Sequence, residues 1–234
     1  QKLFDSQKNN QSDRSTEILN LISSKIKFPT KGKVLDIGCG TGPFLKSFSN
    51  KYTKWYLYGL EQDKRFKQKL IKIKNFKKLY LNLDKITDKF DLIVLIHTLE
   101  HIPEPILFLS KIKNLLKNNG FLFIQVPDFA ISPFDIFVAD HSSHFTKDDF
   151  KPYDYFLKIK KKFLVNNKIP KEISFLLQNQ MKKKYSKQSF AQYRDVIYKK
   201  KLKINSYLTI YEKFLDKIKK LKGETAIFGT SIAA

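Results

Sequence analysis

The chain has 234 residues, of which 42% are apolar, enough for one α/β domain with a smaller piece beside it. It has no apolar run of membrane-spanning length and nothing laid out like a secretory leader. Its single cysteine, Cys39, leaves no intramolecular disulfide and no cysteine-based metal cluster. A cytoplasmic protein with no membrane partner and no metal ligand set is the expectation.

The formal net charge is +23, yet of 45 basic residues only Arg14, Arg65 and Arg194 are arginine, and lysine is spread along the whole chain. Specific nucleic-acid readers favour arginine, whose fork matches phosphate and guanine. The charge therefore reads first as compositional bias, with no specific nucleic acid as partner. Any contact with DNA or RNA is expected to ignore sequence and to fade steeply with salt. A basic surface also suits a phosphorylated substrate.

Residues 1–12 are polar. Asp13 is placed to cap an amphipathic helix through about Lys25, with Ile18, Leu19, Leu21 and Ile22 turned inward. Strand 1 is Lys33–Ile37, followed by a glycine turn and a helix from about Pro43, a favourable first-turn residue. Strand 2 is Trp55–Leu60, a lysine-rich helix covers about Lys64–Lys74, and strand 3 is Lys78–Leu83. The near-continuous apolar run Phe90–Ile96 has the pattern of a buried parallel strand. Pro103-Glu104-Pro105 opens a helix with Ile106, Leu109, Ile112, Leu115 and Leu116 at helical spacing, Asn118-Asn119-Gly120 caps it, and Phe121–Val126 is strand 5.

This alternation predicts parallel strands joined by crossover helices, with ligands at the carboxyl ends of the strands. Beyond Pro127 the pattern loosens. Asp140–Thr146 is a polar loop holding two of the four histidines, and Thr146 with Asp149 reads as a capping box. Tyr155–Lys161 and Glu172–Leu177 form a candidate antiparallel pair. From Met181 to Lys222 the chain is basic and helical in pattern, with a stripe of Ile204, Leu208, Tyr211, Leu215 and Ile218 that suits packing on the core or on a second copy, so a homo-oligomer stays open. Thr225–Ser231 looks like a strand entering a glycine turn and is expected to continue past Ala234. The expected division is 1–178, 179–222 and 223–234.

The chemistry gathers around Val34–Gly42. The glycines Gly38, Gly40 and Gly42 follow a strand that contains Asp36, and Glu61 ends the next strand. Dinucleotide enzymes seat a pyrophosphate on the helix N-terminus with a G-x-G-x-x-G spacing. Here the spacing is G-x-G-x-G. An acidic strand end suits a cationic ammonium, and a carboxylate at Glu61 can accept from both hydroxyls of a ribose.

This run resembles motif I of the class I S-adenosylmethionine (SAM) methyltransferases. Phe90-Asp91-Leu92-Ile93, Leu99-Glu100-His101-Ile102-Pro103 and Leu115-Leu116-Lys117-Asn118-Asn119-Gly120 resemble further stretches of that family. The resemblance covers about residues 13–178. It implies a Rossmann-like, mostly parallel seven-stranded α/β sheet, here with a helical C-terminal extension. It also implies SAM as cofactor: Asp36 at the methionine ammonium, Gly38, Gly40 and Gly42 along the ligand, Glu61 on the ribose, Gln62 beside the adenine and His97 near the methionine end. The family often has an acid after strand 3 for the adenine amino group; Asn82, with Leu83 beside it, stands in that slot.

The base-amino nucleic-acid enzymes of the family carry [DNS]-P-P-[YFW] after strand 4, where this chain has His97-Thr98-Leu99-Glu100, and Cys39 is misplaced for a pyrimidine nucleophile. Asp140-His141-Ser142-Ser143-His144-Phe145-Thr146 resembles the E-H-[LI]-S-[YF]-[FY]-[ST] run of methyltransferases acting on nucleotide-linked sugars, in which the histidine is the base. The resemblance thus implies His141 as catalytic base. It also implies a small-molecule acceptor, phosphorylated or nucleotide-linked, from bacterial capsule polysaccharide synthesis, with O-methyl phosphoramidate among the candidates. The cysteine zinc module of those enzymes is missing. An RNA methyltransferase or RNA-binding module, on the charge, and a non-catalytic subunit of the same fold are the competing readings.

Overall fold

The computed structural model describes residues 14–150, 159–164, 171–179, 202, 204–213, 215–217 and 219–220, the segment 159–164 in its backbone alone. The chain divides into two units, 1–186 and 187–234.

The first unit is a mixed α/β layer structure. Helix α1 (residues 14–23) precedes β1 (Gly32–Ile37), α2 (Pro43–Lys51) and β2 (Trp55–Leu60). A short α3 (Lys67–Leu70), β3 (Phe76–Tyr80), β4 (Phe90–Ile96), α4 (Pro105–Leu115) and β5 (Leu116–Pro127) follow, and then β6 (Ile159–Leu164) and β7 (Glu172–Asn179). The strands lie in the order β3-β2-β1-β4-β5-β7-β6. The first five are parallel, and β7 pairs antiparallel with both β5 and β6.

Both faces of the sheet are covered. Val34, Leu57, Leu92, Val94 and Phe123 pack under α1 and α2 with Ile18, Ile22 and Phe48. Leu35, Ile93, Leu95, Leu122 and Ile124 pack on the other side with Leu109, Ile112 and Phe150 of α4 and the loops after β5. Strands buried on both faces need no polar alternation, which is why Phe90–Ile96 is apolar almost throughout. Phe150 stacks on Phe175 with centroids 3.8 Å apart, fixing the loop after β5 against β7.

Three expectations need correction. The lysine-rich helix is only a 3₁₀ turn, Lys64–Phe66, and four α-helical residues, Lys67–Leu70. Lys69, Lys72 and Lys74 have no acid one turn away to offset their mutual repulsion, and Asp63 at the start of the segment is paired with Arg65; Asn75, at φ 63°, then turns the chain into β3. Strand 3 is Phe76–Tyr80 and stops before Leu83, because Asn82 accepts the Asp84 N–H and starts a new turn. Asn118-Asn119-Gly120 does not cap α4. That helix ends at Leu115, and Leu116 already pairs with Phe90 of β4, so the three residues form an irregular start to β5 with Asn119 at φ 62°.

Thr146 and Asp149 do form half of a capping box: the Thr146 N–H and hydroxyl both donate to Asp149 Oδ2, at 2.6 and 2.8 Å. The Asp13 cap, residues 155–158 and the C-terminal strand at 225–231 lie outside the described residues. In the second unit, residues 204–213 and 215–217 are helical. Ile204, Tyr207, Tyr211 and Leu215 are half-buried there, whereas Leu208 is exposed and Ile218 lies outside the description. Among the described residues, no helix is long and apolar enough to cross a membrane.

Candidate functional site

The glycine turn leaves β1 at Ile37. Gly38, Gly40 and Gly42 all have positive φ, at 74°, 49° and 82°. Two of them differ in what surrounds them. A Cβ at Gly42 would stand 2.6 Å from Ile73 and 2.7 Å from Leu70, so this glycine lets α3 close on the turn. A Cβ at Gly40 would meet nothing within 4 Å, which leaves its backbone open to a ligand. The Gly38 N–H donates to the Leu60 carbonyl at 2.8 Å, tying the turn to the end of β2.

Glu61 stands across from it. Its Oε2 accepts the Gly40 N–H and its Oε1 the Asp63 N–H, both at 3.0 Å. Each oxygen keeps lone-pair capacity for a further donor. Asp36 is buried and makes no side-chain hydrogen bond among the described residues. Burial, with the nearby Glu61 charge adding to it, drives its carboxyl well above the usual range. A cationic donor would restore the charged form. Cys39 packs against Gly59, and burial pushes its thiol up, away from nucleophilic use.

Beyond Leu60 lies a cleft of about 570 Å³, a volume usual for a small-molecule site. Gln62, Asn82 and Leu83 line it together with Ile102, Leu107 and Phe108. The fold thus gathers the expected adenine-side residues in one place. Asp84 lines the same cleft. Sequence reasoning missed it by running strand 3 too far. With β3 ending at Tyr80, an acid does follow that strand, and Asn82 Oδ1 is committed to the Asp84 N–H at 2.8 Å.

His97 sits at the carboxyl end of β4 with φ 50°. Its Nδ1 meets Glu100 Oε1 at 3.0 Å and its Nε2 meets Glu172 Oε1 at 2.7 Å, while Arg14 from α1 also reaches Glu172 and the ring. Burial works against a charge on this ring, but the bonds to Glu100 and Glu172 outweigh it and hold its pKa at about 9. Glu100 Oε2, Glu172 Oε2 and Gln125 Oε1 are buried without a hydrogen-bond partner among the described residues. Arg14, Glu100 and Glu172 are functional candidates that the sequence did not reveal as a group, since they come from α1, the turn after β4 and β7.

The loop after β5 folds back over the turn 99–102. The Ser143 N–H donates to the Glu100 carbonyl and the Ser143 hydroxyl to the Ile102 carbonyl, both at 2.9 Å. Asp135, 1% exposed, takes His141 Nδ1 on Oδ1 and His144 Nδ1 on Oδ2, each at 2.7 Å. Burial alone would raise the Asp135 carboxyl, but the bonds to His144 and His141 overcome it and hold it below its ordinary value. A carboxylate only accepts, so both rings carry the proton on Nδ1 and present Nε2. The acid that orients His141 is therefore Asp135, not the adjacent Asp140. Asp140 bonds His101 instead, through its carbonyl at 3.1 Å.

Residues 9–158 match a family described as "Methyltransferase domain". Among curated proteins, the ubiquinone biosynthesis O-methyltransferase of Glaesserella parasuis is 32% identical over 108 residues, covering 40% of this chain and 44% of that protein. The (S)-coclaurine N-methyltransferase of Papaver somniferum is 28% identical over 116 residues, 46% of this chain and 33% of that one. The chain thus spans less than half the length of either relative. Among solved structures, the plantazolicin methyltransferase BamL, in complex with a substrate analog and SAH, superposes with a TM-score of 0.57 at 15% identity, over 73% of this chain and 85% of that one. An O-methyltransferase family protein from Burkholderia thailandensis gives 0.56 at 11% identity, over 64% and 52%. At such identities the superpositions speak for the fold alone.

Proposed function

Because the chain belongs to this methyltransferase-domain family, we propose that it moves the methyl group of SAM onto a small molecule. The observation that carries this reading is the open backbone at Gly40 facing the Glu61 carboxylate, whose chain neighbours Leu60 and Gln62 line a cleft with Asn82 and Leu83. In this reading Gly38, Gly40 and Gly42 leave room for the cofactor. Glu61 accepts from the ribose, Asp36 answers the ammonium, and Gln62, Leu83, Asn82 and the newly found Asp84 surround the adenine. His97, fixed by its two glutamates, borders the methionine end. When bound, SAM supplies a methyl group made electrophilic by a sulfonium.

The chain's own contribution is position and proton handling. An acceptor hydroxyl must lose its proton as it is methylated, and His141 offers a basic Nε2 whose orientation Asp135 sets through Nδ1. We favour a phosphorylated or nucleotide-linked acceptor, as in capsule polysaccharide precursors. The support is the +23 net charge together with the resemblance of the His141 loop. A cytoplasmic location goes with that reading. The net charge also sustains a second reading, methylation or binding of RNA. Binding to mixed RNA that keeps one preferred sequence at physiological salt would favour it; a loss of all binding there favours the small molecule.

The direct test is calorimetry with S-adenosylhomocysteine. Glu61→Ala removes both the ribose partner and the strap on Gly40, and should weaken binding by about 1–3 kcal/mol. Unchanged affinity would remove Glu61 from the cofactor site. Incubating the wild-type protein with SAM and a panel of nucleotide sugars, and reading the mass gain of one methylene unit, tests the acceptor class.

A further inference from the structure

We infer that Glu100, His101 and His141 form a binding site for one divalent transition-metal cation. One ligand atom from each of the three lies within 4.8 Å of the others. The two imidazole rings stand edge to face with centroids 4.9 Å apart. The sequence hides this set, because Glu100 and His101 are neighbours while His141 arrives from the loop after β5.

Two independent features turn the cluster into a site. The first is Glu100 itself, 1% exposed. Its Oε1 is engaged by His97, and its Oε2 is buried without a partner among the described residues. A buried carboxylate oxygen left bare is costly, and a cation is the partner that removes most of that cost. The second is the support behind each imidazole. His141 Nδ1 is held by the Asp135 carboxylate at 2.7 Å, and His101 Nδ1 by the Asp140 carbonyl at 3.1 Å. Both rings thus have the arrangement found behind metal-bound histidines: an outer acceptor fixes the tautomer and the Nε2 lone pair remains.

Two imidazoles and one carboxylate suit zinc or its neighbours, with one or more positions left for water or a ligand, and do not suit magnesium or calcium. Around zinc, bonds of about 2.0–2.1 Å would bring the ligand atoms closer together than they stand here. His101, whose side chain is 38% exposed, can supply that movement and is the route of entry. A proton and a cation compete for the one Nε2 lone pair of His141. Cation loading and proton acceptance by that ring therefore exclude each other, so cation binding is measured apart from turnover.

The experiment uses the full chain, stripped with a chelator and free of any methyl acceptor. Zinc titration by calorimetry should show one tight site, and Co²⁺ should give the visible bands of a low-coordinate nitrogen and oxygen environment. His101→Ala, a change at a half-exposed position that leaves the core intact, should weaken the tight site about 100-fold or more, and His141→Asn should do the same. Circular dichroism of each variant checks that it is folded. Wild-type protein without a stoichiometric site, or folded variants that bind zinc as tightly as wild type, would overturn the assignment. Such a failure would leave the cofactor site at Gly40 and Glu61 untouched.

Discussion

Replacing His141 by Asn is expected to slow methyl transfer to a hydroxyl by about 10²–10⁴-fold while leaving S-adenosylhomocysteine affinity unchanged. Asp135 decides the outcome. Its carboxylate is buried and held in the ionised form, so it can only accept the Nδ1 proton of His141. That fixes the basic lone pair on Nε2. Asparagine can still donate to Asp135 and hold the loop, but it brings no base. The comparison therefore separates proton transfer from scaffolding. Turnover and affinity are measured separately, in chelator, and His141→Ala serves as the harsher companion. A loss confined to KM, or no loss, would make His141 a binding residue. An acceptor that is already an anionic oxygen needs no base, and then the Asn enzyme should turn over normally.

Glu172→Ala is expected to destabilise the fold by about 3 kcal/mol. Breaking a buried ion pair by removing one partner costs roughly 3–5 kcal/mol, and the lower end applies because the Arg14 side chain is 31% exposed and water can repair part of the loss. Urea unfolding at neutral pH measures it, and a change within experimental scatter would show that Arg14 and His97 do not depend on this carboxylate. The same network gives stability a pH slope. The His97 ring has an ordinary value of 6.5 and is held at about 9 in the fold, so between those values the native chain binds a proton that the unfolded chain releases. Its contribution is complete below the lower value and is lost as pH rises through the upper one. Allowing for the third of the ring that faces solvent, that loss is roughly 1–2 kcal/mol. Glu172→Gln should flatten the slope, and an unchanged slope would place the titration elsewhere.

What the sequence made legible follows from how each signal is encoded. Trp55–Leu60 and Phe90–Ile96 match to the residue, because strands buried on both faces write themselves as apolar runs. The glycine turn is legible because positive φ and close approach exclude other residues. The lysine-rich helix misleads because its spacing suggests a periodicity while its charges oppose one. Strand 3, Phe-Lys-Lys-Leu-Tyr, leaves its two lysines exposed, so nothing in its pattern marks where it ends, and Asp84 is passed over for that reason. The pairings of His97 with Glu172 and of His141 with Asp135 could not be read. Glu172 lies 75 positions from His97, and Asp135 reaches His141 across a loop with no repeating geometry. Pairings of that kind belong to the folded backbone and leave no local pattern.

The bond from Arg14 to Glu172 joins residues 158 positions apart, while that from Gly40 to Glu61 joins residues 21 apart. Closing the longer loop costs more chain entropy, and it requires β7 to pair antiparallel with both β5 and β6. The two corners of the site thus differ in how much of the chain must be ordered to close them. The Gly40 and Glu61 corner draws only on β1, β2 and the turn that follows β1, whereas the His97 corner needs β7. Without β7, His97 and Arg14 have no shared anion. Glu172, the shared anion of His97 and Arg14, is therefore the piece of this network that only a docked β7 supplies.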